Sequence, residues 1–221
     1  MSRPKALDLF CGAGGASMGL HRAGFDVTGV DIRPQPRYPF TFVQADAMMF
    51  PLEGHDLVWA SPPCQRYSSA AEYSRQRGAE YPDLIAATRC RLEASGVLWV
   101  IENVPQAPVR PDVVLDGTMF GLRLVRRRHF ELGGFFCMAP GRHRPHPDGV
   151  MCVVGHGRPS GMKRGPGAPT NTVTECREAM GIDWMDRATL VQAIPPAYSE
   201  LIGRAALVAL QKYVPSGEVG E

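Results

Sequence analysis

The chain has 221 residues, 44% of them hydrophobic, and a formal net charge of +2. That suffices for one sizeable core with at most a small appended lobe, and it excludes a disordered chain, a collagen-like repeat and a membrane protein, since no apolar run reaches bilayer length. Cys11, Cys64, Cys90, Cys137, Cys152 and Cys176 show no disulfide-framework rhythm and Met1 to Phe10 no signal-peptide pattern, so reduced thiols in a cytoplasmic setting are expected.

Short apolar runs alternate with helical spacing along the chain. Ala6 to Phe10 predicts a first strand, which enters the glycine-rich turn Cys11-Gly12-Ala13-Gly14-Gly15 and a helix from Ala16 to Ala23 stopped by Gly24. Asp26 to Val30 predicts a second strand ending in Asp31, Phe40 to Val43 a third ending near Asp46, and Asp56 to Ala60 a fourth. Ser61-Pro62-Pro63-Cys64-Gln65 follows as a stiff loop. Two prolines fix two φ angles and hold Cys64 outside the carboxyl end of a strand, where open α/β sheets do their chemistry. Tyr81 to Ser95 has helical spacing of Leu84, Ile85, Thr88 and Leu92, and Val97 to Ile101 is a fifth, wholly apolar strand leading into Glu102-Asn103-Val104. This alternation predicts an α/β fold, a Rossmann-like, doubly wound, mostly parallel sheet.

Past Phe130 the texture changes to Gly, Pro, Arg and His, an irregular lobe with one apolar run from Met151 to Val154, before helical spacing returns at Thr174 to Gly181 and Pro196 to Tyr213. The expected division is a core over 1–130, a short irregular lobe over 131–173, C-terminal helices over 174–213 and a frayed tail over 214–221. Between Arg123 and Arg164 nine Lys or Arg face only Glu131 and Asp148, a local cationic surface suited to phosphate.

The glycine turn alone describes nucleotide binding in general. Asp31, about 20 positions after Gly12, suits ribose hydroxyls, but Ser17 breaks the G-x-G-x-x-G dinucleotide fingerprint and counts against a nicotinamide or flavin oxidoreductase. Asp46 suits an adenine amino group, although both acids also read as strand-end caps. Cys64 is a candidate nucleophile, the alternative being an incidental thiol in a tight turn.

Taken together and in order, Asp8-Leu9-Phe10-Cys11-Gly12-Ala13-Gly14-Gly15, Pro62-Pro63-Cys64-Gln65, Glu102-Asn103-Val104 and Arg126-Arg127-Arg128-His129-Phe130 resemble the carbon-5 cytosine DNA methyltransferase family, and in particular its short phage-type members. Thr174 to Gly181 is similar to the helix that follows the family's recognition region, and Gln192-Ala193-Ile194-Pro195-Pro196 to its last, donor-adjacent motif. The resemblance implies S-adenosylmethionine as methyl donor and double-stranded DNA as partner, acted on by a monomer, with the target cytosine flipped out of the duplex. It implies a catalytic site of Cys64, Gln65, Glu102, Asn103, Arg126 and Arg128, with base or phosphate contacts for Arg126 and Arg128 and a structural role for Asn103. For the donor it implies Asp8, Phe10, Gly12, Gly14, Asp31, Ile32, Asp46, Ala47, Pro63 and Ile194.

The chemistry needs these residue types. A thiolate adding to carbon 6 of cytosine turns carbon 5 into an enamine-like nucleophile, and a carboxyl group at ring nitrogen 3 assists as charge develops there. No metal is required. Leu124 and Gln192-Ala193-Ile194 depart from the family's usual Gln and Asn-Ser-Val, and residues 131–173 form a smaller recognition lobe than is usual, which predicts a short target sequence. Cys137, His143, His146 and Cys152 carry zinc-binding side chains but lack a tight Cys-x-x-Cys knuckle, so loop or DNA-contact roles are expected for them. Methylation of transfer RNA and a catalytically silent nucleic-acid-binding module are the competing functions.

Overall fold

A computed structural model describes residues 2–141, 153 and 172–212. Strands β1 (Lys5–Leu9), β2 (Asp26–Asp31), β3 (Thr41–Gln44), β4 (Leu57–Ala60) and β5 (Leu98–Asn103) are mutually parallel; β6 (Val113–Leu115) runs in their direction at the far edge, and β7 (Arg128–Gly133) lies antiparallel between β5 and β6. The sheet order is β3-β2-β1-β4-β5-β7-β6. The helices are α1 (Gly15–Ala23), α2 (Glu72–Gln76), α3 (Ile85–Ser95), α4 (Val173–Met180), α5 (Arg187–Leu190) and α6 (Pro196–Lys212). Among the described residues no helix is long and apolar enough to cross a membrane.

The strands are apolar throughout because both faces of the sheet are covered. Ala6, Leu57, Trp59 and Val100 join Leu20 of α1 with Tyr198 and Ile202 of α6 on one face; Leu7, Leu9, Val58 and Ala60 join Ile85 and Leu92 of α3 on the other. Trp59 is fully buried, and withdrawing one such side chain from water contributes roughly 2–3 kcal/mol. Helices α1 and α6 approach so closely that a Cβ on Gly19 would lie 2.1 Å from the Pro196 carbonyl oxygen.

Two expected boundaries shift for local reasons. The helix expected from Tyr81 begins at Ile85, because Pro82 disfavours helical geometry at Tyr81 and Asp83 Oδ1 accepts the Ile85 N–H at 3.3 Å. The fifth strand runs past Ile101 through Asn103, because β7 places Phe130 opposite Glu102 and His129 opposite Asn103. Helix α4 starts with a capping box: Thr172 Oγ1 accepts the Glu175 N–H, and Glu175 Oε2 accepts the Thr172 N–H. Most of 131–173 and the tail over 214–221 lie outside the described residues.

Strand β7 is anchored to α3 by a buried ion pair. Glu131, whose side chain is 1% exposed, accepts Arg89 Nε at 2.7 Å, Arg89 Nη2 at 2.8 Å and the Arg110 N–H at 3.0 Å. Burial by itself would raise the Glu131 carboxyl, but Arg89 and the Arg110 amide outweigh it and hold the carboxyl below its ordinary value. Its stabilisation is therefore complete above the unfolded-chain pKa and lost as pH falls through the lower folded value. Glu131→Gln is expected to cost about 3 kcal/mol in urea unfolding at neutral pH, the gap to wild type narrowing below about pH 4.

Candidate active site

Strand order reverses at β1, whose neighbours are β2 and β4, so a crevice opens beyond the carboxyl ends of β1 and β4. Leu9 pairs with Ala60, and the Ser61 N–H donates to the Leu9 carbonyl at 3.1 Å, so Phe10 and Ser61 leave the sheet side by side. Phe10 has φ 58, and no other non-glycine among the described residues has positive φ. Holding a side chain there costs about 1–2 kcal/mol and marks the end of β1 as a place where backbone position matters more than backbone comfort. The turn that follows is pinned by Cys11 N–H to the Val30 carbonyl at 3.1 Å and Gly12 N–H to Asp31 Oδ2 at 3.0 Å. Gly12 has φ 49 and open space where a Cβ would stand.

The Pro-Pro-Cys loop is held from two sides. Asn103 Nδ2 donates to the Pro62 carbonyl at 2.9 Å while its Oδ1 accepts the Val104 N–H. Arg75 of α2 donates to the Gln65 and Ser68 carbonyls at 2.6 and 2.8 Å. The Cys64 carbonyl accepts the N–H groups of Tyr67 and Ser68, which closes a tight turn around the half-buried thiol. Because β7 is antiparallel, its first residue arrives at the end of the sheet where β5 finishes, and Arg128 Nε meets Glu102 Oε1 at 2.9 Å. Burial raises the Cys64 thiol and Glu102 raises it further, whereas Arg128 and Arg126 pull it down. Arg126 is 7% exposed and donates to the Val153 and Val191 carbonyls, both at 2.8 Å. Burial drags its pKa down to about 9, and both terminal nitrogens bind backbone, so Arg126 ties residue 153 to the segment before α6.

Two cavities meet at the cysteine. One, of about 130 Å³, is bounded by Asp8, Phe10 and Gly12 on one side and by Pro63, Glu102 and Ile194 on another. The second, of about 360 Å³, is bounded by Tyr81, Val104, Arg126 and Arg127. Cys64, Gln65, Arg128 and Gln192 line both. Other expected site residues stand off the first cavity. Gly14 has φ 87, and a Cβ there would meet the Tyr38 ring at 3.0 Å. Asp31 receives Gly12 and Arg33 N–H groups, Asp46 Oδ1 receives the Met48 N–H, Ile32 is 66% exposed and Ala47 is buried in the core. Cys137 is buried; His143, His146 and Cys152 lie outside the described residues.

Two site residues, Ser17 and Tyr38, were not among the expected ones. Ser17 donates to Asp8 Oδ2 and lies 2.6 Å from the Tyr38 hydroxyl, making a buried polar chain behind the first cavity. An aromatic hydroxyl inside Pro34-Gln35-Pro36-Arg37-Tyr38-Pro39 was the available signal. Asp8 is wholly buried with Oδ1 lacking a hydrogen-bond partner, and burial lifts its pKa to about 7, Ser17 opposing and Asp31 and Glu102 adding to the rise. A carboxyl whose folded pKa is raised favours folding below the unfolded value and loses that contribution as pH climbs through the folded value. Asp8→Asn, neutral at every pH, is accordingly expected to gain about 2–4 kcal/mol over wild type at about pH 8, less at about pH 5 and little at about pH 4, measured by urea unfolding.

Residues 5–107 match the profile of the C-5 cytosine-specific DNA methylase family. A Type II methyltransferase of Herpetosiphon aurantiacus, M.HgiDI, is 29% identical over 161 residues, 58% of this chain and 52% of that protein. The chain thus spans about half the length of that relative. In fold it is similar to the methyltransferase EhMeth of Entamoeba histolytica (TM-score 0.62, 12% identity, 95% of this chain and 99% of that one). It is likewise similar to the Dnmt2 methyltransferase of S. pombe (TM-score 0.58, 14% identity, 95% and 98%). The glycine turn, the Pro-Pro-Cys loop and Glu102-Asn103-Val104 all fall inside the segment that matches the C-5 cytosine-specific DNA methylase family.

Proposed function

We propose that the protein methylates carbon 5 of cytosine in double-stranded DNA, using S-adenosylmethionine and a transient bond between Cys64 and carbon 6. The observation that carries this reading is that Cys64 borders both cavities, with Glu102 and Arg128 beside it. When bound, S-adenosylmethionine supplies an electrophilic methyl group on a sulfonium. The first cavity suits such a donor: Gly12 leaves room for close backbone approach, Phe10 offers an apolar wall, and the unpartnered Asp8 Oδ1 suits a cationic ligand. Asp31, at the end of β2, and Asp46, just past β3, stand off the cavity lining and are assigned to the ribose and the adenine amino group.

The second cavity takes the cytosine, extruded from the duplex at a cost of a few kcal/mol. The Cys64 thiolate forms a bond to carbon 6 while Glu102, oriented by Arg128, holds a proton at ring nitrogen 3. Carbon 5 becomes nucleophilic and takes the methyl group, the methyl–sulfur bond of the sulfonium breaking to leave a neutral thioether; the carbon 5 proton then passes to solvent, its electron pair restores the 5,6 double bond, and Cys64 departs as thiolate. Because the thiol's pKa is raised, attack depends on the nearby guanidinium charge of Arg128 to favour the thiolate. Residues 131–173 supply target recognition, and the basic residues between 123 and 164 other than Arg126 and Arg128 supply phosphate contacts.

Bisulfite sequencing of a plasmid carrying the gene is expected to show methylated cytosine in one short context, and Cys64→Ala is expected to lose all of it while retaining donor binding. Unmethylated plasmid from wild type, or methylation persisting in Cys64→Ala, overturns the reading, and a parallel assay on structured RNA tests the substrate. The single-turnover rate is expected to rise with pH between about 7 and 9, as the thiolate fraction grows, and Arg128→Gln to slow it about 10- to 100-fold at about pH 7.5.

A further inference from the structure

We propose that Tyr38 is a positioning residue for the methyl donor: through the Ser17 hydroxyl it fixes Asp8, so that one carboxylate oxygen is held back and the other is left for a cationic group of the ligand. The inference rests on the donor reading of the first cavity. The ionised carboxylate only accepts, so the single Ser17 proton goes to Asp8 Oδ2, and the Tyr38 O–H must then donate to Ser17 Oγ. The direction of the chain is thereby determined, and each bond polarises the next. At its far end Asp8 Oδ1 has no partner, in a side chain that is wholly buried and lines the cavity.

Tyr38 is seated by the surrounding backbone. A Cβ on Gly29 of β2 would stand 2.1 Å from the Tyr38 hydroxyl oxygen, and one on Gly14 would stand 3.0 Å from its ring, so two glycines leave the space this tyrosine fills. Pro34, Pro36 and Pro39 stiffen its segment, the Tyr38 N–H bonds to the Gln35 carbonyl at 3.0 Å, and Arg37 reaches Asp186 at 3.0 Å across to the start of α5. The hydroxyl thus arrives at Ser17 with little ordering left to do.

Asp8 must be ionised to serve a cationic ligand. The charged and titratable groups around it are Asp31 on β2, Glu102 on β5, Cys11 in the glycine turn and Tyr38 itself; Arg128, paired with Glu102, lines the same cavity. Removing the Tyr38 hydroxyl weakens the Ser17 bond that favours the anion, so the ionisation of Asp8 moves to higher pH. The effect on donor affinity is therefore largest near neutrality and fades once Asp8 is ionised in both proteins.

Isothermal titration of S-adenosylmethionine into wild type, Tyr38→Phe, Ser17→Ala and the double variant between about pH 6.5 and 9 tests this. Wild-type affinity should rise with pH; Tyr38→Phe should weaken binding roughly threefold to tenfold at about pH 7, with the ratio approaching one at about pH 9. Adding Tyr38→Phe to Ser17→Ala should change nothing further, because the chain is already cut. Thermal melts identify any variant that fails to fold; if Tyr38→Phe fails, Ser17→Ala carries the same pH test. A ratio of one at all pH values, a ratio that is constant with pH, or additive losses in the double variant overturn the proposal while leaving the donor reading intact. Absence of donor binding in wild type overturns the donor reading, and this inference with it.

Discussion

Strand β7 pairs with β5 in the opposite direction, and the site depends on that one pairing. In a wholly parallel sheet every strand delivers its last residues to the crevice, which here provides Phe10, Ser61 and Glu102. The guanidinium held against Glu102 comes instead from a chain travelling the other way, at Arg128 where β7 begins. The same reversal sends the opposite end of β7 toward α3, where Glu131 meets Arg89 and the Arg110 amide deep in the structure. One antiparallel strand therefore carries an ion pair for the site near one end and an ion pair for the fold near the other.

The site is not built for stability. Phe10 occupies left-handed backbone, Asp8 is buried with an unpartnered oxygen, the Cys64 thiol is pushed up by burial, and Arg126 keeps its charge in a place that opposes it. The strained Phe10, the buried Asp8 and the buried Arg126 each oppose folding on their own account, and they cluster with Cys64 within one crevice. The surrounding core offsets them: Trp59, Leu57 and Val100 on one face and Val58, Ala60 and Ile101 on the other form a sheet with little freedom to relax around the strained turn. Rigid strands and tightly hydrogen-bonded loops leave the thiol, the carboxylate and the guanidinium with defined neighbours, and a site that works by positioning needs that.

Arg126 and Arg128 show how neighbours in sequence acquire different work. Two residues apart, both could have been read as contacts to base or phosphate. Arg128 opens a strand and points to Glu102, while Arg126 precedes it and spends its terminal nitrogens on the Val153 and Val191 carbonyls. Tyr198 donates to the Arg126 carbonyl at 2.9 Å, which adds α6 to the same joint. The segment before α6 is thus bonded to the arginine stretch, and Ile194, Ala193 and Gln192 are brought to the first cavity's wall.

Apolar runs and glycine punctuation were sufficient to place β1 to β5, α1 and α6 to within a few residues, because strands buried on both faces and helices stopped by glycine or proline are local signals. The glycine turn, Cys64 and Glu102 were legible for the same reason, each sitting at the end of a strand that announces itself. Short elements such as β6, α2 and α5 left too few residues for any period to show. Tyr38 and Ser17 are separated by the whole of β2, and their meeting depends on the absence of side chains at Gly29 and Gly14. The amino-acid sequence by itself determined which strands form and which of them end in chemically active side chains, since both follow from local patterning. Only the tertiary structure decided the direction of β7, the partner of each arginine and the buried chain behind Asp8, because those depend on which distant groups compete for the same few hydrogen bonds once water has been excluded.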